Sequence, residues 1–217
     1  MLFKGPVRML RVARVVGGAF VLSLLVVFLL KTHLNDSRSI AASVNSGSGK
    51  RAPAFRLPVI WPARQTWDPS LATFAVANYQ LALRNLAGRP VVLNFWASWC
   101  RPCRAEAPTL AEAARAHAGE IAFLGVNVED GAKAAKEFLR RFGIPYVSVR
   151  DSGMSTVAAY EIVGLPDTFF LDSRGRIVAL RAGEVTRNEV ESGIARAIEP
   201  RCCDSRRSTT TSKGKGR

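Results

Sequence analysis

The sequence predicts an α/β domain, built on a mixed β-sheet with helices on both faces and preceded by one transmembrane helix. Apolar, β-branched runs alternate with amphipathic, alanine-rich segments, the pattern of a sheet that helices bury on both sides. Two later strands are separated by a Ser-Arg-Gly turn, which indicates an antiparallel hairpin. A long charge-free segment lies near the N-terminus.

The charge-free segment has the length of a membrane span. Residues 15–30 carry no charge, and extending the helix to 12–30 gives about 28 Å, close to the roughly 30 Å of a bilayer core. Four basic residues precede it: Lys4, Arg8, Arg11 and Arg14. The positive-inside rule therefore predicts a cytoplasmic basic segment, 1–11, and an anchor, 12–30, with the rest outside the cytoplasmic membrane of a bacterium.

A cleaved signal peptide is the alternative interpretation of the N-terminus. Cleavage needs small residues close behind the apolar run, but the nearest cluster is at 41–43. We therefore expect an uncleaved signal-anchor.

Polar segments are expected to bound the folded domain, which we place at 52–200. Residues 31–51 are rich in Ser and Gly and predict a flexible linker. Residues 201–217 are basic and rich in Ser and Thr, which predicts a disordered tail. We interpret its Cys202-Cys203 pair as incidental, with intermolecular bridging and electron shuttling as the alternatives.

The basic residues lie mainly at the two ends of the chain. The net charge is +14, of which 1–50 contribute +6 (seven basic, one acidic) and 201–217 contribute +5 (six basic, one acidic). Residues 51–200 carry only +3 (18 basic, 15 acidic). A nucleic-acid-binding domain concentrates positive charge on its own folded surface, so we expect no nucleic-acid partner.

Hydrophobic periodicity assigns the elements of the domain. Strands are predicted at 91–96, 121–128, 146–149, 167–172 and 176–183, and helices at 101–118, 131–143 and 186–198. Residues 58–78 receive no assignment. Trp61 and Trp67 in that segment are expected to pack on the core, with a surface groove as the alternative.

Cys100 and Cys103 frame the start of a predicted helix. Cys103 shares an apolar stripe with Ala107 and Leu110, so we expect it to be the inner sulfur and Cys100 to lie at the exposed helix tip. The helix dipole and Arg101 favour a thiolate there. Cys100 would then attack a substrate disulfide, and Cys103 would resolve the mixed disulfide.

Two other roles for this cysteine pair are weaker. A structural zinc site needs four Cys or His ligands, and the remaining candidates are His33, His117, Cys202 and Cys203. His33 abuts the predicted membrane span, and the two cysteines lie in the basic tail about a hundred residues away. A purely structural disulfide would close a very short loop, which stabilises little. We therefore expect no metal site and no purely structural role for the pair.

Glu106 follows Cys103 by one helical turn. A part-buried carboxylate there could exchange a proton with the inner thiol, whereas a solvated first-turn glutamate would only favour the helix dipole. The pattern alone leaves these two interpretations equal.

Three segments carry a family resemblance: APAF at 52–55, LRNLAGRPVVLNFWASWCRPCRAEAP at 83–108 and VGLPDTFFLDSRGRIVALRAGEV at 163–185. With them the chain resembles the thioredoxin superfamily, and within it the membrane-anchored TlpA/ResA/CcmG (DsbE)-like thiol–disulfide oxidoreductases. The resemblance implies a thioredoxin-like fold and disulfide exchange without a cofactor. It also implies that Pro166 is a cis proline facing the cysteines.

The resemblance further assigns roles to single residues. Leu165 would pair with an extended substrate strand, Trp99 would shield the active site, and Pro108 would kink the helix. Glu106 matches the acidic residue of the TlpA/ResA branch, which favours its proton-exchange role. Asn94 stands where thioredoxins have a buried Asp, so the proton relay would pass to Glu106.

The function implied by resemblance is extracytoplasmic reduction of apocytochrome c during cytochrome c maturation. A transmembrane thiol carrier would donate the electrons, and lipid would hold the N-terminal helix. One alternative is an oxidase that introduces disulfides into exported proteins, and another is a non-catalytic thioredoxin-like binding module. A peroxidase needs Thr or Ser three residues before its attacking cysteine, and here that residue is Ala97.

Overall fold

The structure, a computed structural model, describes residues 22–27, 39–63 and 78–199. Residues 22–27 are helical and belong to a unit of their own, Met1–Ser39. Within the described ranges, no helix combines the length and apolarity needed to cross a bilayer. Most of the predicted anchor, Trp67 and the predicted tail lie outside the described residues.

A seven-stranded mixed sheet forms the centre of the domain, in the order β2-β1-β5-β4-β3-β6-β7. The strands are β1 Arg56–Trp61, β2 Gln80–Ala82, β3 Val91–Trp96, β4 Ala122–Val128, β5 Val147–Asp151, β6 Asp167–Leu171 and β7 Ile177–Ala182. The central strands β3, β4 and β5 are parallel, and the remaining pairs are antiparallel. Every residue of β3 and β4 is buried, which explains their continuous apolar sequence.

Helices cover both faces of this sheet, as the sequence predicts. They are α1 Ile40–Asn45, α2 Arg101–Ala116, α3 Ala132–Arg141, α4 Ser155–Ala159 and α5 Arg187–Ile198, with a 3₁₀ helix at Leu83–Leu86. The first core lies under α2, α3 and α5. The second lies on the opposite face, under α1, α4 and the 3₁₀ helix.

The prediction of a flexible linker over 31–51 is wrong for its second half. Ile40 and Val44 are one helical turn apart, and α1 buries both in the second core. The guanidinium of Arg176 then binds the carbonyl groups of Ser48 and Gly49. Burial of this i, i+4 apolar pair compensates for the polar composition of the segment.

Sequence periodicity also missed the short elements β1, β2 and α4. They are three to six residues long, and strand pairing rather than an internal pattern holds β1 and β2.

Trp61 satisfies both expectations for its role. It packs against both cores, donates from Nε1 to the Ile144 carbonyl at 3.0 Å, and lines a surface groove of about 580 Å³.

A glycine sets the contact between α5 and the sheet. Any Cβ at Gly193 would overlap the ring of Phe170, which is fully buried. Replacing Gly193 with Ala should therefore destabilise the protein by about 1–2 kcal/mol, since overpacking outweighs the gain in helix propensity. The measurement is the urea midpoint of the full-length protein. Ser192→Ala, at an exposed position of α5, should leave the midpoint close to wild type, and an equal loss there would contradict this account.

Candidate active site

A disulfide joins Cys100 and Cys103 where β3 gives way to α2. The Cα atoms are 5.3 Å apart and the sulfur atoms 2.04 Å apart. Cys100 is the N-cap of α2, and its Sγ accepts a hydrogen bond from the Cys103 N–H at 3.2 Å. Pro102 occupies the first turn, where a missing N–H costs nothing. The N-terminus of α2 therefore directs its free N–H groups and positive dipole end at the outer sulfur.

Both cysteines are buried in this oxidised form. Cys103 is 1% exposed, as its place on the apolar stripe predicts, but Cys100 is only 3% exposed. The expectation that Cys100 lies at an exposed tip is therefore wrong. The angular spacing of residues along a helix predicts which face each side chain occupies. It carries no information about loops that pack over the end of the helix.

Glu106 follows Cys103 by one turn of α2 and is buried, at 1% exposure. Its Oε1 accepts from Asn94 Nδ2 at 2.8 Å, and its Oε2 accepts from the Val185 N–H at 3.1 Å. Burial raises the pKa of Glu106 to about 7, although both hydrogen bonds lower it, and the Glu184 and Asp167 carboxylates add a smaller upward contribution. A carboxyl group with this pKa can hold or release a proton near neutral pH.

Asn94 connects Glu106 to the sheet. Its Nδ2 also donates to Thr168 Oγ1 at 3.0 Å, so the residue that replaces the thioredoxin Asp positions the carboxylate. A cavity of about 10 Å³ lies among Asn94, Cys103 and Tyr146. That volume is near the lower limit for one water molecule. Burial raises the pKa of Tyr146, and Glu106 adds to the effect, so Tyr146 stays neutral beside the site.

The loop before Cys100 is held by a carboxylate that sequence analysis missed. Asp130 accepts from the Ser98 N–H at 2.6 Å and from Ser98 Oγ at 2.8 Å. Asn127 Nδ2 donates to the same carboxylate at 2.9 Å. Asp130 follows β4, the parallel neighbour of β3, so only strand order brings it to Ser98. No local pattern around Asp130 signals this contact.

The residues assigned by resemblance to substrate contact occupy two loops. The Leu165–Pro166 bond is cis, as predicted, and Leu165 is part-buried against both cores. Trp99 is 56% exposed, and its Nε1 donates to the Glu129 carbonyl at 2.8 Å. Asp167, which sequence analysis did not single out, follows the cis proline, and burial raises its pKa to about 6.

Within 22–27, 39–63 and 78–199, no three His, Cys, Asp or Glu side chains are grouped to hold a metal ion.

Residues 47–198 match the Redoxin family, and this range is more than half of the 217-residue chain. The chain belongs to this family. The redoxin is 33% identical over 167 residues to HelX of Rhodobacter capsulatus, a thiol:disulfide interchange protein, covering 76% of this chain and 81% of HelX. It is 27% identical over 133 residues to the thiol-disulfide oxidoreductase ResA of Bacillus anthracis, covering 61% of this chain and 76% of ResA.

Solved structures agree with this relationship. A DsbF homologue from Corynebacterium diphtheriae superimposes with a TM-score of 0.57 at 25% identity, covering 69% of this chain and 87% of the homologue. The redoxin is therefore a thioredoxin-like thiol–disulfide oxidoreductase of the ResA/DsbE type. This family membership implies protein thiols and disulfides as substrates.

The raised pKa of Glu106 makes the stability of the redoxin pH-dependent. The pKa is about 7 in the folded protein against 4.5 ordinarily, so the folded state binds this proton more tightly. Its stabilising contribution is fully present below about pH 4.5 and is lost as pH rises through about 7, with a magnitude of about 3 kcal/mol. Glu106→Gln should remove this part of the decline and leave the part that comes from Asp167, whose pKa burial also raises, to about 6.

Free energies of unfolding of the oxidised full-length protein between pH 4 and 8 test this prediction, because the disulfide leaves no thiol at positions 100 and 103 to titrate. Glu112→Gln, on the same helix at an exposed carboxylate, is the control and should keep the wild-type decline. Parallel curves for wild type and Glu106→Gln would show that Glu106 does not titrate in this range.

Proposed function

We propose that this protein is a membrane-anchored, extracytoplasmic disulfide reductase that acts on apocytochrome c cysteine pairs. The observation that carries its redox role is the Cys100–Cys103 disulfide at the N-terminus of α2, next to a buried Glu106 carboxyl with a pKa of about 7. Resemblance to the ResA/CcmG branch supplies the substrate class and the transmembrane thiol donor. The apolar segment 12–30 and the basic residues before it support the anchor and its orientation.

The reaction starts from the reduced dithiol. The Cys100 thiolate attacks one sulfur of a substrate disulfide, so that a Cys100–substrate bond forms and the substrate disulfide breaks. The released substrate sulfur leaves as a thiolate and takes up a proton. The free N–H groups at the start of α2 stabilise the attacking thiolate.

Resolution uses the inner cysteine and Glu106. The Cys103 thiol passes its proton to the ionised Glu106, with room for one water in the small cavity beside Asn94, and then attacks Cys100 Sγ. The mixed disulfide breaks, the second substrate thiolate leaves, and the Cys100–Cys103 bond forms. Glu106 then gives the proton from Cys103 to this second thiolate, and the first substrate thiolate takes its proton from solvent. The enzyme has supplied two electrons and one proton, and the transmembrane thiol donor restores the dithiol.

The loops around the disulfide supply the substrate surface. Leu165 and the cis Pro166 precede β6, the antiparallel neighbour of β3, and offer backbone groups to an extended chain. Trp99 offers an exposed indole ring. An unfolded apoprotein, whose cysteine pair lies in extended chain, fits such a surface better than a folded protein does.

Burial of Glu106 favours reduction over oxidation. Arg101 stabilises a Cys100 thiolate but is exposed, so solvent screens its charge. Glu106 opposes thiolate formation from a buried position, where the effective dielectric is lower and the interaction is stronger. A less stable thiolate makes the dithiol a stronger reductant.

The two cysteines should differ in their response to substitution. In a Cys202→Ser/Cys203→Ser background, Cys103→Ser should accumulate mixed disulfides on Cys100, because nothing resolves them. Cys100→Ser should lose insulin reduction to background. The background variant is the control and should reduce insulin at the wild-type rate. Normal turnover by Cys100→Ser would contradict this assignment and favour a non-catalytic binding module.

The reduction potential separates the reductase from the oxidase. We expect a value below about −200 mV, whereas a disulfide-introducing oxidase would lie near −120 mV. Glu106→Gln should shift the potential upward, since it removes the charge that opposes the thiolate, and Glu112→Gln should not. Equilibration of the full-length protein with thiol redox buffers measures the reduction potential. A wild-type value near that of the oxidase would overturn the proposed direction.

A further inference from the structure

A groove of about 210 Å³ is rimmed by four arginines: Arg51, Arg84, Arg89 and Arg174. We call it the arginine groove. Its floor is apolar and includes Leu83 and Leu86 of the 3₁₀ helix. None of the described residues that line it is acidic. The groove thus combines concentrated positive charge with an apolar base.

Three of these arginines lack a charge partner in the part of the chain that the structure describes: no carboxylate there pairs with Arg51, Arg84 or Arg174. On α5 and β7 the arrangement differs, because Arg187 pairs with Glu112 and Arg181 with Glu189. Like charges gathered around one concavity repel one another unless an anion lies between them. Guanidinium groups are well suited to phosphate, which they bind in a bidentate manner.

The arginine groove lies at the end of the sheet opposite the disulfide. It includes Val91, the first residue of β3, and Leu171, the last residue of β6. The disulfide follows the other end of β3. Six residues of strand place the two ends roughly 20 Å apart. A ligand in the groove therefore does not contact the disulfide.

The chain enters the domain at α1, whose first residue shares a carboxylate with Lys50. The Ile40 N–H donates to Glu161 Oε2 at 2.8 Å, and Lys50 Nζ binds Glu161 Oε1 at 3.3 Å. Lys50 immediately precedes Arg51 of the rim. The nine residues between the predicted anchor and Ile40 can span at most about 30 Å. The connection between the predicted anchor and the domain is therefore short.

We propose that the arginine groove binds anionic phospholipid headgroups of the bilayer that carries the chain. The guanidinium groups contact the lipid phosphates, and the apolar floor takes up the adjoining glycerol and acyl carbons. The inference rests on the membrane anchor of the proposed function. Docking by this end turns the disulfide away from the lipid, toward extended protein substrates.

Arginine footprinting of the full-length protein in nanodiscs tests the proposal. Phenylglyoxal modification, read by mass spectrometry, is compared in discs of phosphatidylcholine alone and in discs that also contain phosphatidylglycerol. We expect Arg51, Arg84 and Arg174 to react roughly fivefold more slowly in the anionic discs. Arg101, at the disulfide end, should react equally in both.

A paired variant and a phosphate arm complete the design. Arg84→Gln/Arg174→Gln should abolish the protection of Arg51 without changing the rate of insulin reduction. Arg140→Gln/Arg141→Gln removes the same charge from α3 and should leave Arg51 protected. Equal reactivity in the two kinds of disc overturns the proposal. Equal protection by inorganic phosphate in neutral discs would also overturn it, by showing a free-anion site. Failure of the chain to enter discs would refute the anchor, while insulin reduction reports separately on the redox function.

Discussion

The buried carboxyl group of Glu106 is the constraint on which the active site depends. It lies in the first core, where an isolated charge is costly, and it persists because two elements donate to it. Asn94 donates from β3, and the Val185 N–H donates from the segment before α5. These two hydrogen bonds fix the depth and rotation of α2 against the sheet. The cysteines at the start of α2 take their places from the same contacts.

The site is assembled from distant parts of the chain, which ties the chemistry to the fold. The carboxylate of Asp130 holds the loop that carries Ser98, although the two residues are 32 positions apart. Thr168 reaches Asn94 across 74 positions. The second contact joins the neighbouring strands β3 and β6, and the first joins the loops that follow the neighbouring strands β3 and β4. A cysteine pair with this spacing in another setting would lack both the loop position and the buried proton acceptor.

Sequence alone was sufficient where burial leaves a periodic signal. The run at 91–96 coincides with β3, and the stripe through Cys103 correctly places that residue inward. It was insufficient where long-range pairing decides the structure. β1 forms because β5 and β2 offer it partners, and α1 folds because Ile40 and Val44 reach the second core. Asp130 acts on a loop that no local pattern links to it.

Glu106 was identified from its spacing and from the family resemblance, but its two hydrogen-bond donors were not. Its position one helical turn after Cys103 leaves a solvated role equally possible. Burial at 1% exposure decides between those interpretations. The contribution of Val185 depends on the path of the chain after β7, and its backbone N–H carries no signature in the amino-acid sequence.

The enclosure of both sulfur atoms also bears on which molecules can reach them. Thiol exchange requires the incoming sulfur to approach the bond that it breaks, and the packed surroundings of Cys100 restrict that approach. Small soluble thiols gain little binding energy to open such a path, whereas a polypeptide lying along the neighbouring loops gains enough. Partner selection at the disulfide is then kinetic, because a partner must supply the binding energy that opens the path to the sulfur atoms.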